Sequence, residues 1–332
     1  MQVPEFWAEA RHEGTVKGRR RVVRRFGWSD ASQADAELQA ETRAEAALAE
    51  LQAGKRVPPR EQKVPYGLAG LPIREQVVAR NGDLVVTRNA YGARCLNEPD
   101  VLFADLDAVP ALPAAVDRGI GWAALLAGLA MLVLAIVSFA TRHTGRGCFL
   151  LPMTLVAPGL LFALAARLRR ATWSVARARR RIEARLAAFA ERHRDGRFAV
   201  YETPAGLRVL ALHRTFDPTG TETRELFAEL GVDPAYAQMC ELQACFRARL
   251  SAKPWRIGIA RHIMPRPGVW PVREERRAER DAWIEQYEAT AAGFAACRWR
   301  EDFGDGRIAP RCAQVQRVHD ELAKARSGLP IA

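Results

Sequence analysis

Cysteine is sparse and without a paired pattern. Cys95, Cys148, Cys240, Cys245, Cys297 and Cys312 are scattered over 332 residues, and no second Cys or His pair stands at ligand spacing from Cys240 and Cys245. A disulfide scaffold and a zinc site are therefore not expected; buried thiols in a reducing compartment are. Residues 1–14 carry Glu5, Glu9, Arg11 and Glu13 and no apolar run, so a signal peptide is not expected. Internal repeats and low-complexity tracts are missing, and 49% hydrophobic with 27% charged residues excludes whole-chain disorder. His262 and His319 have no nucleophile partner in any triad pattern, which argues against a hydrolase of that kind.

The most informative deficit is of charge. Residues 119–166 contain only Arg142 and Arg146, leaving two uncharged stretches, 119–140 and 147–166. At about 1.5 Å per helical residue each reaches the roughly 30 Å of a bilayer core. Pro152 and Pro158 weaken the second stretch without excluding it, because neighbouring helices can satisfy freed backbone groups. Six residues between the stretches leave room only for a tight hairpin, so both flanks fall on one side of a membrane.

The net charge of +12 is local. Residues 1–118 hold 17 basic and 17 acidic residues, residues 201–332 hold 20 and 18, and residues 167–200 hold 11 and 3. Neither end is a basic domain. Arg118 and the eight arginines from Arg167 to Arg185 outnumber the two in the connecting loop, so the positive-inside rule puts both termini in the cytoplasm of an inner or plasma membrane. The same arginines suit anionic lipid head groups.

Around the apolar segment, local patterns predict an α+β fold, mainly antiparallel sheet with helices, interrupted by a two-helix transmembrane hairpin. The expected organisation is a cytoplasmic α+β part at 1–118, the hairpin at 119–166, a basic juxtamembrane helix at 167–196, and a part at 197–332 that completes the first. An extended segment at 19–27 precedes Ser29, a good N-cap, and an alanine-rich helix ending at Gly54. Residues 73–80 and 83–89 flank Asn81-Gly82, a favoured hairpin turn. A strand is expected at 100–107 and a second hairpin at 197–202 and 207–213. Helices are expected at 221–230, 234–245, 273–298 and 310–326, with 246–263 mixed.

Candidate chemistry gathers at Asp105-Leu106-Asp107, two carboxylates on one face at the end of an apolar strand. Backbones about 6.6 to 6.8 Å apart allow such a pair to share one Mg²⁺ or Mn²⁺ or to bridge two. A haloacid-dehalogenase-like enzyme would follow its second Asp with Gly-Thr, where this chain has Ala108-Val109-Pro110. A metal-dependent nucleotide-sugar glycosyltransferase also uses Asp-x-Asp, but its preceding parallel strands and helices are not suggested by residues 60–100. Residues 201–210, Tyr-Glu-Thr-Pro-Ala-Gly-Leu-Arg-Val-Leu, read as a hairpin with Gly206 at the turn and Arg208 entering a strand.

Together the two patches resemble the first and second motifs of the archaeo-eukaryotic primase superfamily. The resemblance implies metal on Asp105 and Asp107, both catalytic, and a phosphate contact at Arg208, in a nucleotide- or nucleic-acid-handling domain that is active or degenerate. His is often found where this chain has Arg208, and the third acidic position has only Asp217 and Asp302 as candidates. Arg88, His213 and Arg247 are further phosphate candidates; Arg247 and Arg249 share a face if extended, and Lys253-Pro254-Trp255-Arg256 mixes cation with aromatic, able to stack a base and hold a phosphate. The alternative from a different class is a non-catalytic membrane scaffold that recruits a partner through its C-terminal helices.

Overall fold

The computed structural model describes residues 1, 3–59, 72–108, 114–141, 154, 156, 158–160, 163 and 175–332. Two compact units divide it: Met1–Asp107 with Arg185–Ala332, and Ala108–Ala184. The first unit is α+β with antiparallel sheets.

A turn at Lys17-Gly18, both residues in the left-handed region, reverses the chain between β1 (Phe6–Val16) and β2 (Arg19–Ser29). The ribbon carries α1 (Gln33–Gln52), whose Ala36, Ala40 and Ala44 recur every turn and bury against Ala8 and Ala10. Alanine on the helix and Gly27 on the strand allow this close approach: a Cβ on Gly27 would stand 2.1 Å from the Ala36 carbonyl oxygen. The N-cap is Ser32, which accepts from the Asp35 amide at 3.1 Å, rather than the expected Ser29. Ser29 instead ends β2 and accepts the Ala31 and Ser32 amides.

One four-stranded sheet has the order β3 (Gln76–Asn81), β4 (Leu84–Arg88), β5 (Arg94–Glu98), β9 (Phe246–Arg249). Its first turn is the expected one shifted by a residue. Asn81 pairs with Leu84 across Gly82-Asp83, with Gly82 at φ 63°. The other has the order β10 (Arg298–Phe303), β7 (Phe198–Glu202), β8 (Gly206–Ala211), β6 (Phe103–Asp107). Here β7 and β8 form the second expected hairpin, and β6 is shorter than expected because Glu98 takes the Asp100 and Val101 amides in a preceding bend. Helices α4 (Thr221–Leu230), α5 (Pro234–Gln243), α6 (Arg277–Ala291) and α7 (Pro310–Leu322) complete this unit.

The two four-stranded sheets are tied by polar links. Tyr236, from α5, stands with its hydroxyl 3.0 Å from the Phe103 carbonyl on β6 and accepts the Arg247 amide on β9. Around it lie Phe103, Phe227 and, behind Phe227, Phe246, all buried.

In the second unit α2 (Ala114–Ala140) contains Trp122–Ala140, 19 residues of mean hydropathy 2.6, long and apolar enough to cross a membrane. Trp122, Leu125, Leu126, Leu129, Val133 and Ile136 are exposed along it. A Cβ on Gly128 would meet Pro158 and the Thr154 carbonyl at 3.2 Å, so those residues lie against the helix. Most of the expected second span, 147–166, and the connecting loop from Arg142 to Arg146 lie outside the described residues, as do Arg167, Arg169 and Arg170. The basic helix is described as α3 (Val175–Arg192).

Candidate anion-binding site

Strands β6 and β8 pair so that Asp105 faces Arg208 and Asp107 faces Gly206. The Arg208 guanidinium donates from Nε to Asp105 Oδ1 at 2.7 Å and from Nη2 to Oδ2 at 3.1 Å. Its Nη1 donates to the Arg249 carbonyl at 3.1 Å and lies 3.3 Å from His319 Nε2. Arg208 is only 1% exposed, so its donors are consumed by β6, β9 and α7 rather than offered to solvent. Asp105 raises the affinity of that guanidinium for its proton despite burial.

The remaining expected phosphate residues are also engaged. Arg88 is buried, donating to the Gly92 carbonyl at 2.8 Å and to Glu288 at 2.7 Å. Arg247 donates to Glu75 at 2.6 Å and is buried. His213 lies beyond the other end of β8, its Nδ1 3.2 Å from the Arg197 carbonyl and its ring against Phe198 and Phe216. Burial lowers its proton affinity.

Asp105 spends both oxygens on Arg208, leaving Asp107 as the open member of the pair. Among the described residues no group of three His, Cys, Asp or Glu is placed to hold an ion. Asp302 is on β10, at the opposite edge of the sheet from β6, and Asp217 binds the amide and hydroxyl of Thr219. The acidic pair as arranged does not fit a two-metal centre.

What does gather near Asp107 is positive charge. Arg249 ends β9, and Lys253 and Arg256 follow on a tight turn (Pro254–Arg256). Arg249 Nε and Arg256 Nη1 are buried without a hydrogen-bond partner. Burial first, then the charges of Arg249 and Arg256, pushes Lys253 down to about 8, with Asp107 and Asp105 partly opposing. Arg256 is lowered for the same two reasons, burial and Arg249. Asp107 is raised, by desolvation and then by Asp105 and Asp233. Asp233 is drawn in because its amide donates to the Asp105 carbonyl at 3.2 Å while its carboxylate caps α5.

Three rings flank the cations. Trp255 lies 5.3 Å from Tyr91 and 5.2 Å from His262 between ring centroids, and the Lys253 ammonium is 5.5 Å from the Trp255 ring. Trp255 is 46% exposed, whereas Tyr91 is half-buried, its hydroxyl beside Arg249 and its proton affinity raised by burial. Sequence alone pointed to the cation and aromatic mixture at 253–256. It carried no signal for Tyr91 or Asp233, which arrive from a turn and a helix N-cap elsewhere in the chain, nor for His262, which folds back from a loop a few residues further on.

The arrangement concentrates three neighbouring cations in partly desolvated surroundings, a poor state for the empty protein and a good one for an anion. Compared with known proteins, the chain matches no family model, no curated protein and no solved structure.

Proposed function

We propose that this is an integral membrane protein, anchored by a helical hairpin of residues 119–140 and 147–166, whose cytoplasmic α+β unit binds a phosphate-bearing nucleotide or nucleic acid. The anchoring is supported by the apolar exposed face of α2 and by the close approach of Thr154 and Pro158 to Gly128. Both termini are cytoplasmic by the arginine asymmetry, and the arginines from Arg167 to Arg185 meet anionic lipid.

The observation that carries the binding reading is the convergence of Arg249, Lys253 and Arg256, with buried guanidinium nitrogens that have no partner. Phosphate oxygens would satisfy those donors and relieve the mutual repulsion. On this reading the primase-like resemblance is that of a degenerate domain: Asp105 serves Arg208, and Mg²⁺ or Mn²⁺ would come bound to the ligand's phosphates. No catalytic step is assigned.

Two measurements test this. The protein should resist extraction by alkaline carbonate and need detergent for release. Purified in detergent at low salt, it should bind ATP with an affinity that falls steeply with ionic strength. Release by carbonate would remove the anchor, and absence of ATP binding by the folded protein would leave the scaffold as the better account.

A further inference from the structure

The exposed tryptophan beside the cations narrows the ligand, on the footing of the anion-binding reading above. A large ring left half in solvent is unusual next to three half-buried cations, and Trp255 is not filling a core. Tyr91 meets it edge-on at 65° and His262 leans on it at 34°, so its orientation is fixed from two sides. His262 is itself steadied by Arg266, 3.3 Å from its Nδ1. A fixed, half-exposed indole ring costs little entropy to use and can stack a flat heteroaromatic ring on whatever surface it leaves to solvent.

We infer that the site takes a single nucleoside polyphosphate, with the base stacked on the exposed surface of Trp255 and the phosphates on Arg249, Lys253 and Arg256. Three cations within eight residues suit a chain of two or three phosphates. A single-stranded nucleic acid is served by a long cationic groove with successive stacking rings. Here the neighbouring arginines Arg88, Arg247 and Arg208 are tied to Glu288, Glu75 and Asp105, and among the described residues of this unit Trp255 is the one exposed large aromatic side chain, so a row of stacking rings is missing. Inorganic polyphosphate would satisfy the cations but would not use the tryptophan.

The test compares ATP with tripolyphosphate on the full-length protein in detergent. ATP is expected to bind about tenfold more tightly, the gain typical of one stacked base. Trp255→Leu should erase that gain while leaving tripolyphosphate affinity within about twofold, and Trp255→Phe, which keeps a stacking ring, should retain most of it. Equal binding of ATP and tripolyphosphate by the unaltered protein would overturn the stacking inference and leave the anion reading standing. Binding of neither would remove the anion reading itself. A single-stranded oligonucleotide that displaced ATP at a tenfold lower concentration would overturn the choice of a mononucleotide.

Discussion

Asp105 and Arg208 face each other across the β6 and β8 ladder and close a two-bonded ion pair at 2.7 and 3.1 Å. This one relationship joins the two motif patches and also decides what they do. The guanidinium that would meet phosphate in a primase-like site is spent on the carboxylate that would hold metal. A third bond to the Arg249 carbonyl makes Arg208 a tie between the two four-stranded sheets.

Removing the guanidinium from that tie leaves a carboxylate and a buried carbonyl without partners. Arg208→Met should therefore lower stability by about 3 to 5 kcal/mol, and Asp105→Asn in the same chain should recover part of the loss. Urea unfolding of the single and double variants checks this. A loss below about 1 kcal/mol in the single variant would show that the pair is not a structural tie.

Glu98, at the other end of the β5 and β9 pair, provides a pH-dependent test of the fold. It is fully buried, accepts the Asp100 and Val101 amides, and meets Arg311, which also holds Asp83 and Asp100. Burial leads in pushing its carboxyl from the usual 4.5 up to about 8. Between those values the folded chain holds a proton that the unfolded chain releases. The contribution to stability is thus complete below 4.5 and is lost as pH rises through 8. Relative to Glu98→Gln, the natural protein should lose stability from pH 5 to pH 8, and a constant difference across that range would contradict the assignment.

Lys253 should show itself in ligand binding. With its ammonium held at about 8 by burial, Arg249 and Arg256, and opposed by Asp107 and Asp105, it deprotonates near physiological pH. Nucleotide affinity should fall as pH rises above 8, since the anion binds the charged form. Lys253→Arg keeps a charge throughout and should flatten the fall. A natural protein whose affinity is level from pH 7 to pH 9 would remove Lys253 from the site.

The arginine block can be tested through topology. Replacing five arginines between Arg167 and Arg185 by Gln should weaken or invert the orientation reported by fusions at both termini, while the α+β unit keeps its fold. An unchanged orientation would assign the topology to another determinant.

Much of the local structure was legible because turn residues and apolar alternation speak for themselves. The Gly82 hairpin, the Gly206 hairpin, the helix from Thr221 to Leu230 and the alanine face of α1 follow from such patterns. Strands β1, β5 and β10 did not stand out, because polar side chains interrupt their apolar pattern. In β5, Asn97 is buried through bonds to the Val85 carbonyl and the Thr87 hydroxyl, and Glu98 through Arg311. The site was half legible for a similar reason. Arginines look alike in sequence, and only the fold distinguishes Arg208, Arg88 and Arg247, matched to carboxylates, from Arg249 and Arg256, which crowd each other and Lys253.

The cationic cluster is the centre of the account, and neutralising it tests that account most directly. Arg249→Gln and Arg256→Gln together remove two charges whose mutual repulsion the folded protein now bears, so the variant should remain folded, with a melting temperature at or above that of the natural chain. Calorimetric titration with ATP at low salt should then show affinity reduced by at least about a hundredfold, with loss of most of its salt dependence. A folded double variant that binds ATP as the natural protein does would contradict the account.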